Sequence, residues 1–203
     1  MGKVLVTGFE PFGGEATNPS WEAVRSLPDT ILGRELVRVV LPVEFGGAFA
    51  RLREELEACD AELVLCVGQA GGRSKVMPEF VGINWRDARI PDNAGRQPLG
   101  ERILEGAPDA LFSTLPVAGM ARAAADGGVP AAVSYTAGTY VCNELLFCLL
   151  DCLRGGRPGV RGGFVHLPYL PQQAAALGSD VPSMSLDVAT RGLELMLGAC
   201  LEA

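Results

Sequence analysis

The chain has 203 residues with 17 basic and 24 acidic side chains, a net charge of -7, and at this length a single domain with a substantial core is expected. The acidic balance, with no Lys/Arg cluster, argues against a nucleic-acid backbone or an anionic membrane as partner and favours a small or uncharged substrate. No apolar run approaches the ~20 residues that span a bilayer. Six cysteines at 59, 66, 142, 148, 152 and 200 include no C-x-x-C pair, and there is one histidine, so neither a common zinc set nor a disulfide framework is expected. The opening Met-Gly-Lys-Val-Leu-Val carries no apolar leader, and the thiols read as reduced and the protein as cytoplasmic.

Lys3 to Thr7 is a short β-branched run suited to a buried strand, and the loop Gly8-Phe-Glu-Pro-Phe-Gly-Gly14 follows it. The glycine spacing suggests a phosphate loop, but Gly14 and Glu15 stand where Lys and Ser/Thr would be needed, which removes the nucleotide reading. Phe9 and Phe12 either cap the core or wall an apolar pocket beyond the strand end. Asn18-Pro-Ser opens a helix to about Ser26; a strand over Glu35 to Leu41 and a helix over about Phe45 to Cys59 follow. Ala61 to Val67 is a second buried strand that feeds a glycine-rich loop, Gly68-Gln-Ala-Gly-Gly-Arg73.

Val76 to Asp87 is less regular and includes strand, with Glu79 in an apolar setting where a glutamate is ordinarily a surface residue. Arg89 to Pro98 lacks periodicity and reads as a long loop, with Arg89 able to meet an anion or to form a surface ion pair. A strand near Ala110 to Ser113, a helix over about Val117 to Ala125, a short strand at Ala131 to Ser134 and a helix over Tyr140 to Leu153 come next. Gly163 to Leu167 is the strand that presents His166, and Ser183-Met-Ser opens a final helix with apolar positions 186, 189, 193, 196 and 200. The alternation of strand and helix predicts an α/β fold with a largely parallel sheet.

Thr136-Ala-Gly-Thr-Tyr-Val-Cys-Asn143 is the stretch with the strongest chemical content. It places Cys142 near a helix start, where unpaired N–H groups and the helix dipole favour a thiolate. A base from the same chain has to be His166, the only histidine. Cysteines are frequently inert core residues, and Cys148 and Cys152, inside the helix, are read as such. Composition and spacing stop at a cysteine-nucleophile enzyme of unspecified substrate.

Five motifs go further. Thr7 to Gly14, Gly68 to Arg73, Asp87-Ala-Arg-Ile-Pro-Asp-Asn93, Thr136 to Asn143 and His166-Leu-Pro-Tyr-Leu-Pro171 occur in the order found in pyroglutamyl-peptidase I, and the Pro182-Ser-Met-Ser helix start extends the match. The chain thus resembles that family over nearly its whole length. The resemblance implies a single-domain three-layer α/β/α sandwich with a largely parallel, mixed central sheet. It implies a cytoplasmic cysteine peptidase, usually a homotetramer, that needs no cofactor or metal and removes N-terminal pyroglutamate from peptides. The implied triad is Cys142, His166 and Glu79, which reverses the surface reading of Glu79, and Arg89 is implied to stabilise the oxyanion. Phe9 and Phe12 would sandwich the lactam, with Gln69, Ile90 and Val141 lining the pocket.

Phe80, Trp85 and Glu144 depart from the family pattern. Glu144 either faces inward and raises the thiol pKa or points to solvent and complements the helix dipole. The competing readings are another Cys-His amidase for a small acyl group and a non-catalytic thiol redox or ligand-binding module, for which Cys148 would be the resolving thiol.

Overall fold

In the computed structural model, which describes residues 2–157, 159–178 and 180–203, the strands sort by hydropathy. Runs apolar on both faces form the middle of the sheet and half-polar strands its edges. The strands β1 (Lys3–Phe9), β3 (Arg34–Leu41), β4 (Ala61–Gln69) and β8 (Arg161–Leu167) lie parallel in the order β3-β1-β4-β8. Two short antiparallel strands close the ends, β2 (Thr30–Ile31) on β3 and β5 (Met77–Pro78) on β8. A separate antiparallel ribbon pairs β6 (Val81–Ile83) with β7 (Ala110–Phe112).

Residue parity along the strands separates two cores. Val4, Val6, Leu63, Leu65, Val67 and Val165 face a cluster with α1 (Pro19–Arg25), α3 (Val117–Asp126) and α6 (Leu186–Glu202). Leu5, Val64, Cys66 and Phe164 face the opposite cluster with α2 (Gly47–Ala58) and α4 (Val141–Gly156). The predicted three layers and mixed, largely parallel sheet are therefore present. Because β1 is followed on one side by β3 and on the other by β4, the chain reverses its direction of travel across the sheet at the β1/β4 boundary. In open α/β sheets such a boundary leaves a crevice beyond the strand carboxyl ends.

Three elements differ from the sequence expectation. Ala131 to Ser134 is not a continuous strand. It touches the β5 segment only at the bridges Val76–Ala131 and Glu79–Ser134, because Pro78 between them has no N–H to donate. Strand β2 and helix α5 (Pro171–Leu177) were not expected. The signals for α5 are visible in retrospect: Pro171 at the first helical position and Gly178 in the left-handed conformation just past the end. Among the described residues, no helix is long and apolar enough to cross a membrane.

Candidate active site

Four segments deliver the site. Strand β1 ends in Phe9, which is buried and packs on Phe164 with ring centroids 6.4 Å apart. Strand β4 ends in Gly68 and Gln69, and β8 carries His166 directly beside Gly68 in register. The turn before α4 delivers Cys142 as the second residue of a 16-residue helix. Gly68 is needed at its position by packing. A Cβ there would stand 2.6 Å from Phe164 Cζ and 3.0 Å from Cys142 Sγ, so the absent side chain makes room for the thiol.

Glu79 follows β5, and its backbone N–H donates to Phe164 O at 2.9 Å. With Met77 opposite His166 across the antiparallel pair, the alternation of side chains puts Glu79 on the same face as the imidazole. Its Oε1 lies 2.7 Å from His166 Nδ1, and the glutamate is 0% exposed. Burial works against the Glu79 charge, but the imidazole, Ser134 and Arg73 outweigh it and hold the carboxyl below the ordinary range. An ionised carboxylate only accepts hydrogen bonds, so Nδ1 carries the proton and donates it, leaving Nε2 as the lone-pair nitrogen. Burial lowers the His166 pKa against the opposing pull of Glu79.

The thiol departs from the sequence expectation. Burial, reinforced by the Glu79 carboxylate, pushes Cys142 up to about 12, and Arg73 and the local N–H only partly offset this. The helix start is present as expected, but enclosure of the sulfur outweighs it. At rest the pair is therefore a neutral thiol and a neutral imidazole.

A cavity of about 660 Å³ opens over these groups, lined among others by Phe9, Phe12, Gln69, Arg73, Arg89, Ile90, Val141, Cys142 and His166. Every site residue expected from the sequence except Glu79 thus reaches one cavity, and Glu79 sits behind His166. Phe9 fulfils both of its alternatives, as a core residue and as a cavity wall. Phe12 is half-buried and stacks toward Tyr140 at 6.1 Å. Arg89 is exposed at the cavity edge, and no ion pair among the described residues uses it.

The loop carrying Arg89 and Ile90 is tied to the cysteine turn at successive points. Thr139 Oγ1 donates to Asp87 O at 2.8 Å, Asp87 N donates to Thr139 O at 3.0 Å, and Tyr140 Oη donates to Pro91 O at 3.0 Å. Asn143, fully buried, accepts from Ile83 N at 2.9 Å and donates to Ile83 O and Trp85 O, both at 2.9 Å. Sequence reasoning assigned Asn143 no role. Two adjacent polar residues, Asn143 and Glu144, in the first turn of a helix that continues apolar for six residues are the signal that could have found it.

Glu144 follows neither alternative considered for it. It is buried, and it accepts from Arg86 Nη1 at 2.7 Å and from Gly46 N, while Arg86 Nε donates to Glu101 at 2.8 Å. Its charge acts on Cys148 rather than on Cys142. Phe80 packs with Phe112 and Tyr135 at centroid distances of 5.0 and 5.6 Å, away from the cavity-lining set, and Trp85 is exposed. Cys148 belongs to a different cluster, with Ile103 and Phe147, so it does not share a cavity with Cys142. Among the described residues no three His, Cys, Asp or Glu side chains gather to hold a metal ion.

A family model described as pyroglutamyl peptidase matches residues 2–203. The pyrrolidone-carboxylate peptidase of Bacillus velezensis is 47% identical over 194 residues, covering 95% of this chain and 89% of that protein. The crystal structure of Bacillus amyloliquefaciens pyroglutamyl peptidase I superposes with a TM-score of 0.95 at 44% identity, covering 100% of this chain and 98% of that one. The pyrrolidone carboxyl peptidase of Thermococcus litoralis superposes with a TM-score of 0.94 at 39% identity, covering 100% and 94%.

Proposed function

The chain belongs to the pyroglutamyl peptidase family, and from that premise we propose that it hydrolyses the N-terminal pyroglutamyl residue from peptides through a thioester on Cys142. The reading is carried by one observation: the 2.7 Å contact between Glu79 Oε1 and His166 Nδ1 behind a cavity that both His166 and Cys142 line. Nε2 of His166 takes the Cys142 proton as Sγ attacks the pyroglutamyl carbonyl, and the C–S bond forms. Collapse of the tetrahedral adduct breaks the C–N bond, and Nε2 returns the proton to the leaving amine. Water, deprotonated by the same nitrogen, then adds to the thioester carbonyl; the C–S bond breaks, pyroglutamate leaves, and Nε2 returns the proton to Sγ. Glu79 keeps Nδ1 protonated and stabilises the imidazolium formed in each half-reaction. Arg89, exposed and free of ion pairs among the described residues, would meet the oxyanion at the cavity edge.

Substrate selection rests on a lactam that is flat, neutral and without a free amine. Phe9 and Phe12 supply apolar walls for the ring, Ile90 and Val141 close the sides, and Gln69 or the adjoining backbone pairs with the lactam N–H and C=O. A buried amide partner left unpaired penalises a ring that lacks either group. The mechanism needs no cofactor. Assembly as a homotetramer and a cytoplasmic location follow from the family resemblance, and the free thiols suit a reducing compartment.

The test is release of fluorophore from pyroglutamyl-aminocoumarin beside prolyl-aminocoumarin, which keeps the ring but replaces the lactam carbonyl with CH₂ and its amide with an amine. Turnover of the first with a preference of at least about 10²-fold in kcat/KM is expected. Equal turnover, or none, would discard the specificity.

The pH profile is a second test. A neutral imidazole base loses function when protonated, and burial depresses His166, so the acid limb of kcat/KM is expected below about 6.5, the ordinary histidine value. With the free thiol raised to about 12, no alkaline limb from Cys142 is expected up to about pH 9. An acid limb well above 7 would contradict a neutral imidazole at rest.

A further inference from the structure

The carboxylate that orients His166 has a second, cationic partner that nothing in the preceding reaction scheme uses. Arg73 ends the glycine-rich loop after β4. Gly72, at φ +85, turns the chain in a conformation that a side chain would strain, and the turn is closed by Arg73 N donating to Ala70 O at 3.3 Å. From there the guanidinium reaches across the site. Nη1 donates to Glu79 Oε1 at 2.6 Å, the same oxygen that accepts from His166, and Nη2 donates to the carbonyl of Thr136 at 2.9 Å. Thr136 begins the turn that leads to Cys142.

We propose that Arg73 is a positioning residue of this reaction: its planar fork holds the Glu79 carboxylate and the nucleophile turn in one fixed geometry, so base and nucleophile stay in register. The inference rests on the hydrolase reading above.

Two observations and one chemical property carry it. Glu79 is 0% exposed, and its Oε2 takes no hydrogen bond among the described residues. Arg73 and His166 therefore meet its charge at a single oxygen, and among the described residues Arg73 is the one permanent cation in that contact. A guanidinium can make two divergent bonds from one rigid plane, whereas an ammonium supplies a single point charge. Finally, Arg73 also lines the cavity, and its side chain is 23% exposed, so small solutes can reach its place.

The groups around the triad agree on the sign of its electrostatic effect. Glu79 and Arg73 face His166; Glu79, Arg73 and Cys66 face Cys142; His166, Ser134 and Arg73 face Glu79. The Arg73 charge lowers all three pKa values. Removing it raises both the imidazole and the thiol, so the acid limb of kcat/KM moves to higher pH.

The experiment compares Arg73→Met and Arg73→Lys with wild type in kcat, KM and the pH profile on pyroglutamyl-aminocoumarin. Alkylation of Cys142 by iodoacetamide is followed against pH in parallel, with Cys142→Ala as background. For Arg73→Met, kcat is expected to fall about 10–100-fold with KM within about threefold, and the acid limb to rise by about half to one pH unit. Arg73→Lys is expected to restore the limb but not kcat, because it keeps the charge and loses one of the two bonds. Methylguanidine added to Arg73→Ala is expected to recover part of kcat.

A fall in kcat for Arg73→Met with an unmoved limb would reduce Arg73 to a structural residue, and unchanged kcat would remove it altogether. If Arg73→Met loses all turnover, the alkylation profile decides on the same shift. If wild type itself fails to turn over the substrate, the hydrolase reading falls, while the alkylation profiles still report whether Arg73 sets the state of the thiol.

Discussion

A Cys142→Ala enzyme is expected to lose at least about 10⁴-fold in kcat/KM toward pyroglutamyl-aminocoumarin while keeping its fold, because removing a covalent nucleophile leaves only binding and oxyanion stabilisation. Among the described residues no other thiol lines the cavity. Cys148 sits in the Ile103–Phe147 cluster, and Cys66 and Cys200 are buried in the two cores. Stability should change little. The sulfur lies near Gly68 and its residue lines the cavity, so the single atom removed borders open space rather than packed core, and its loss costs about 1 kcal/mol. Steady-state kinetics with thermal unfolding of the same samples checks both halves. Turnover by the variant within tenfold of wild type would remove Cys142 as nucleophile, whatever the unfolding temperature.

Asn143→Leu should lose stability as well as activity, from a residue that takes no part in bond making. Leucine has the branching and heavy-atom count of asparagine, with somewhat bulkier methyl groups, but leaves Ile83 N–H, Ile83 C=O and Trp85 C=O without the partner that now covers them. An unsatisfied buried polar group costs about 1–3 kcal/mol. With three groups, of which some regain water, about 3 kcal/mol is expected, a fall in Tm of roughly 6–12 °C for a chain of this size. Activity should fall as well, because the same segment continues into Asp87, Arg89 and Ile90. Calorimetry on Asn143→Leu beside Cys142→Ala separates the two roles. A Tm within about 2 °C of wild type for Asn143→Leu would show that the segment is held by its other contacts, Arg86–Glu144 and Thr139–Asp87 above all.

The two variants mark where legibility in the sequence ended. Cys142 and His166 were readable because each has a local signature, a turn running into an amphipathic helix and a histidine closing an apolar strand. Glu79 had none. It became a candidate by resemblance to a family, and its burial depends on β5 pairing with β8, residues nearly ninety positions apart in the chain. Arg73 and Asn143 were within the quoted motifs yet silent, since their work consists of contacts to Glu79, Thr136, Ile83 and Trp85, which no spacing rule brings together.

Glu144 teaches the same lesson. Both readings of it considered only its own helix, whereas Arg86 and Gly46 arrive from elsewhere in the chain.

By itself the sequence determined the alternation of strand and helix, the both-sides-apolar strands that had to become the centre of a parallel sheet, the positions of the glycine-rich loops after β1 and β4, and the motifs of the family. These follow from periodicity and local backbone chemistry, which act over a few residues. Only the tertiary structure decided the charge states and the clamps. The thiol expected to be lowered at a helix start is instead pushed up to about 12 by enclosure and Glu79, and the imidazole is kept neutral by burial despite its carboxylate. Desolvation and long-range ion pairing are sums over segments that meet only after folding, so their balance has no signature along the chain.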